Sequence, residues 1–200
     1  MTTVRQIERY WMAKDYGRLF RELVSFRPEA RLRLDIDVRA PLAAALAVIR
    51  LDELSQSHHA LYTRLVRAIL AAQEADGGWG DPVTTALCLR ALLCGNGQGV
   101  SIERGMQYLA NLQKDEGIWP NLPLRRMPAD AHVSAFVLTQ LGDSPAFRGA
   151  VRLSDALEWF RVHADSLDDD TCQLWNRATL RCRLRTTPAA EGWPGWANVG

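Results

Sequence analysis

Lysine is almost missing from this chain: of 24 basic residues only Lys14 and Lys114 are lysine, and the arginines are spread along the whole length. Against 23 acidic residues the formal net charge is +1. Such a balance supplies no polybasic field for nucleic acid or anionic lipid, so nucleic acid is not expected as a partner. Cysteine pairs are lacking too. Cys88, Cys94, Cys172 and Cys182 form no C-x-x-C motif, which removes zinc-finger and dithiol chemistry and predicts reduced thiols in a cytoplasmic setting, with no metal or cofactor called for. Long apolar runs are also absent. The start, MTTVRQIERYWMAK, has no apolar stretch after its charges, and nothing approaches the length that crosses a bilayer. The chain reads as neither exported nor integral to a membrane, with peripheral contact left open.

What is present is 200 residues with 48% apolar composition, enough for one domain with its own core. The apolar spacing is helical almost throughout, which predicts an all-α fold. Two helix types alternate. Residues 59–75 place Leu61, Leu65, Ala68, Ile69 and Ala72 on one face, and 101–114 repeats this with Met106, Leu109 and Leu112 after a capping Ser101; both read as amphipathic surface helices. Residues 42–51, 83–94 and 131–141 are apolar nearly all round, so they must be covered on every side. Asp81-Pro82 and Gly95 bracket the second, Pro128 and Gly142 the third. Amphipathic helices outside and buried helices inside make two concentric layers of helical hairpins, a partial or small α/α toroid of about nine helices. The expected organisation is a helical extension over 1–38 (helices near Val4–Ala13 and Tyr16–Ser25), repeats over 39–183 and an irregular Trp-rich tail over 184–200.

An internal repeat underlies this alternation. Gln73-Glu-Ala-Asp-Gly77-Gly-Trp79 and Gln113-Lys-Asp-Glu-Gly117-Ile-Trp119 both read Q-x3-G-x-W, 40 positions apart. Glutamine can satisfy open groups at a helix end, glycine permits a positive φ, and tryptophan covers the junction, so each copy is predicted to staple a loop. The second copy, from Arg104-Gly105 to Trp119, resembles the QW motif of squalene–hopene and oxidosqualene cyclases and of the wider prenyltransferase repeat superfamily. The resemblance covers roughly residues 59–182 and implies a toroid whose inner helices surround an apolar cavity for isoprenoid chains. A third unit, 150–164, keeps Trp159 and Phe160 but has Ala164 in place of the glutamine.

After that unit comes Asp165-Ser-Leu167-Asp168-Asp169-Asp170-Thr171-Cys172. The cyclases hold a D-x-D-D-T motif in the equivalent place. The resemblance implies Asp169 as proton donor with Asp170 beside it, while Leu167 departs from the pattern at the first Asp. Clustered carboxyls at the rim of an apolar cavity are how a protein keeps one of them protonated. Capping of a helix N-terminus explains the same run without chemistry. Asp170-Thr-Cys172 also resembles the zinc-binding Asp-x-Cys of protein prenyltransferase β-subunits, but no histidine follows it, so Cys172 reads as a free thiol.

Asp130 and His132 begin the 131–141 segment, where the repeat sets them opposite Thr84 and Thr85 and opposite Asp170 and Thr171. With Asp168 and Trp175 they are the expected substrate-contacting groups of a polar rim. Two functions follow. One is a terpene-cyclase-like enzyme, an isomerase or lyase that protonates an isoprenoid through Asp169. The other is a non-catalytic module on the same scaffold, binding an isoprenoid or a protein partner, with a second copy or another protein completing the ring.

Overall fold

A computed structural model describes residues 3–25, 39–95, 99–124 and 126–183; the Arg-rich connector and the Trp-rich tail lie outside the described residues. These residues are all-helical. In chain order they form α1 (Val4–Met12), α2 (Tyr16–Val24), α3 (Ala40–Glu53), α4 (Ala60–Ala71), α5 (Pro82–Cys94), α6 (Gly99–Leu112), α7 (Ala131–Leu141), α8 (Pro145–Ala150), α9 (Leu153–His163) and α10 (Asp169–Arg183). None of the described helices is long and apolar enough to cross a membrane.

Helix starts follow side-chain chemistry. Thr3 and Gln6 form a reciprocal capping box on α1, Asp15 caps α2, Asp81 followed by Pro82 caps α5, and Asp130 caps α7 through Val133 N at 2.9 Å. Each satisfies an amide that the helix itself leaves open. Two expectations need correction. Ser101 does not cap α6, which already begins at Gly99; its carbonyl is used instead, as described below. The third repeat unit starts at Leu153 rather than residue 150, because the short α8, capped by Ser144 and led by Pro145, occupies the preceding stretch.

The two helix types separate as their apolar patterns require. Residues 42–49 of α3, 82–89 of α5 and 133–141 of α7 are buried without a break, whereas α4, α6 and α9 bury a stripe such as Leu61, Leu65 and Ile69. The buried helices pack side by side in the order α3, α5, α7, with α10 against the far side of α7. The amphipathic helices flank this row: α2 and α4 lie on α3, α6 on α5, and α9 meets α10 through Phe160 stacked on Trp175, ring centroids 4.5 Å apart. α10 ends the row and is correspondingly more polar, with Leu180 left exposed. The core is continuous from Ile7 to Cys182, and each fully buried Leu, Ile or Phe in it contributes about 1.5–3 kcal/mol.

The two Q-x3-G-x-W segments adopt one geometry. Gln73 Nε2 donates to Gly77 O at 2.8 Å and to Ser101 O at 2.9 Å; Gln113 Nε2 donates to Gly117 O at 2.6 Å and to Arg152 O at 3.0 Å. Gln113 Oε1 also accepts from Arg152 N at 2.9 Å. The indoles reach back ten residues, Trp79 Nε1 to Ile69 O at 2.7 Å and Trp119 Nε1 to Leu109 O at 2.8 Å. Their backbone amides bond first-turn hydroxyls of the next buried helix, Thr85 and Ser134. Gly77 and Gly117 sit at φ of 95° and 87°, where a Cβ would strike the backbone of Arg104 and of Asp155–Ala156 respectively. Glycine is needed twice over at each, for conformation and for space. Each segment therefore staples the end of one amphipathic helix to the start of the next.

Candidate functional site

The aspartate run sits at the start of α10, where its geometry is that of a helix cap. Asp168 Oδ1 accepts from Thr171 N at 2.8 Å and its carbonyl accepts from Cys172 N at 2.8 Å, so Asp169 and Asp170 occupy the first two helical positions. Asp168 and Asp169 are exposed and Asp170 is half-buried. This register corrects the repeat alignment read from sequence. Asp168 matches the caps Asp81 and Asp130, so Asp130 is the counterpart of Asp168 rather than of Asp170, and His132 is the counterpart of Asp170 and Val83. The shift arises because the bond to an amide three residues on, and not residue similarity, fixes where each helix begins.

His132 and the aspartate run do meet. His132 Nδ1 lies 3.1 Å from Thr171 Oγ1, joining the starts of α7 and α10, while His132 Nε2 is buried without a hydrogen-bond partner. Trp175 is not part of this rim: half-buried against the core, its ring lies face to face with Phe160 between α9 and α10. Cys172 is half-buried and unpaired. Among the described residues no three His, Cys, Asp or Glu side chains converge to hold a metal ion.

A cavity of about 270 Å³ lies elsewhere, lined by Ile49 and Glu53 of α3, Arg90 of α5, Thr139 and Gln140 of α7, and Arg177 and Arg181 of α10. All four packed helices supply it from their C-terminal halves, so they run in one direction, with the aspartates and His132 at one mouth and this cavity at the other. Arg90, Thr139 and Arg177 each stand nine positions after their helix's capping aspartate; the lining is a repeat position. Asp143 bridges two of its arginines, 3.7 Å from Arg90 and 3.6 Å from Arg181, and Arg181 also donates to Gln140 O at 3.3 Å. The lining is thus ionic rather than greasy. Sequence reading passed over these residues, although one signal was available: Arg90 and Gln140 interrupt segments that are otherwise apolar all round.

Burial perturbs several thiols and phenols nearby. Burial pushes the Cys88 thiol well up, with Asp81 adding to it, and burial likewise raises Cys94 and Cys182 against the opposing pull of Arg90 and Arg148. Tyr62, whose hydroxyl is buried without a partner, is raised mainly by burial, with Cys94 and Asp52 contributing. These groups are structural and neutral at ordinary pH. Compared with known proteins, the chain matches no family model, no curated protein and no solved structure.

Proposed function

We propose that this chain is a non-catalytic binding module built on an α/α-repeat arc of the squalene-cyclase and prenyltransferase kind, serving a polar ligand or a protein partner and not protonating an isoprenoid. The observation that carries the reading is the state of the aspartate run. A carboxyl that protonates an alkene near neutral pH has to be kept protonated by burial or by crowded like charges in an apolar setting. Asp169 faces solvent in the first turn of α10 and Asp168 is engaged as the helix cap. Further support comes from the interior: the space between the packed helices is filled by side chains such as Leu42, Leu87 and Phe136, all nearly inaccessible, and the described cavity is small and arginine-lined. A linear isoprenoid asks for a long apolar tunnel instead.

The test is native mass spectrometry of the protein purified from its own host, followed by incubation with linear isoprenoids of graded length. A co-purifying protein or polar molecule, with the isoprenoids unchanged, is the expected result. A cyclised product that disappears in Asp169→Asn restores the cyclase reading, and stoichiometric capture of intact isoprenoid restores a lipid-binding one.

A further inference from the structure

The second staple carries an insertion that the first lacks. Trp79 stands two residues before the cap Asp81, whereas Trp119 stands eleven before the cap Asp130. The nine extra residues change none of the staple's bonds, since both indoles, both backbone amides and both caps make matching contacts. The inserted loop is nevertheless tied at its base. Asp130 N donates to Trp119 O at 2.8 Å beside a bridge between Pro120 and Ala129, and Met127 N donates to Leu124 O at 2.9 Å. A loop closed in this way holds its tip in place. That tip exposes Leu122 at 44% and Leu124 at 57%, together with Arg126, whose side chain makes no hydrogen bond or ion pair with the described residues. One exposed leucine is ordinary; two within three residues, beside an unpaired guanidinium, are the make-up of a contact surface.

The complement of this tip lies at the same mouth of the molecule. Asp130 leads straight into α7, whose His132 is 3.1 Å from Thr171 of α10, so the loop and the start of α10 share one end of the packed helices. Between the last turn of α9 and the first turn of α10 the chain exposes Val162, 61% accessible, with Asp165 and Asp169, whose carboxylates are unpaired among the described residues. An apolar tip with a free guanidinium matches an apolar patch with free carboxylates. Within one copy that match is unused. Two copies set mouth to mouth about a two-fold axis use it twice, because each loop meets the other copy's patch. A membrane suits the tip less well, since the neighbouring carboxylates repel anionic headgroups.

We propose that the loop between Trp119 and Asp130 is a dimerisation element, its Leu122 and Leu124 seated against Val162 of a second copy and its Arg126 paired with that copy's Asp165 and Asp169. The pairing does not depend on the function proposed above, because a catalytic chain would associate in the same way. Sedimentation velocity of the full chain, from micromolar to submillimolar concentration, tests it. A reversible monomer–dimer equilibrium that weakens at high salt is expected. Leu122→Ser with Leu124→Ser weakens it at least about tenfold, and so does each of two charge variants, Arg126→Asp and the pair Asp165→Arg with Asp169→Arg. An equimolar mixture of the two charge variants dimerises as the parent does, since both loops then face the opposite charge. Circular dichroism establishes that the variants are folded, and Asp165→Arg alone enters the mixture if Asp169→Arg disturbs the start of α10. A chain that stays monomeric, a dimer indifferent to the leucine substitutions, or a mixture that stays monomeric overturns the proposal. A monomer that floats with anionic vesicles, and no longer does so in Leu122→Ser with Leu124→Ser, overturns it in favour of a membrane surface.

Discussion

Replacing Gln113 with leucine probes the staple that organises this fold. Three hydrogen bonds are lost, Nε2 to Gly117 O, Nε2 to Arg152 O and Arg152 N to Oε1, while the volume and the helical propensity of the site are nearly kept. At about 1 kcal/mol net for each bond the loss is about 3 kcal/mol, and it is larger if Arg152 N stays buried without water. Gln73→Leu removes two such bonds, to Gly77 O and Ser101 O, at a site closer to solvent, so its cost is about 2 kcal/mol or less. The assay is urea unfolding followed by circular dichroism, read as a shift in midpoint at constant slope. Hydrogen exchange adds the location: protection falls first at the start of α9 in Gln113→Leu and at the start of α6 in Gln73→Leu. A loss below about 1 kcal/mol at Gln113, or a larger loss at Gln73 than at Gln113, refutes the reasoning.

Two more predictions follow from the same structure. Gly117→Ala forces a Cβ to within 2.6 Å of the Asp155 side chain and 2.7 Å of the Ala156 backbone at a positive φ, costing about 2–5 kcal/mol by strain and overpacking together, whereas Gly17→Ala, with nothing within 4 Å, stabilises by up to about 1 kcal/mol; thermal melts of both check the contrast. Cys88, Cys94, Cys182, Tyr62 and Tyr108 all titrate higher when folded, so their contribution to stability is complete below the ordinary thiol and phenol values of 9.0 and 10.0 and is lost as pH rises through and beyond them. The urea midpoint is therefore level up to about pH 9 and declines above it, less steeply in Cys88→Ala; a flat profile contradicts this.

The alternation of helix types was legible in the sequence because a helix buried on all sides leaves no polar face, and residues 42–51, 83–94 and 131–141 have none over most of their length. The staples were legible for a related reason: Gln, Gly and Trp each answer a separate local requirement, and their spacing repeats. The rim was harder to read. Its residues lie within four positions of one another in each repeat, and which aspartate becomes the cap depends on where the helix begins; a shift of one or two positions moves His132 from one counterpart to another. α8 escaped notice because six residues carry too little periodicity to register. The cavity was out of reach for a third reason. Its seven lining residues come from four helices spread between Ile49 and Arg181, and only the packing of those helices side by side brings them together.

Both staples close loops on the side where the amphipathic helices end and the buried ones begin, the same side as Asp81, Asp130 and Asp168. At the opposite mouth a different clamp acts among the described residues: Arg148 of α8 donates to Gly142 O at the end of α7, at 2.7 Å, and to Cys182 O at the end of α10, while Asp143 reaches Arg90 and Arg181 at 3.7 and 3.6 Å. The packed helices are thus fastened at both ends, by a repeated staple at one and by a single arginine across α7 and α10 at the other. The spacing between the ends of α7 and α10, and with it the separation of Gln140 from Arg181 across the cavity, therefore hangs on the one side chain of Arg148.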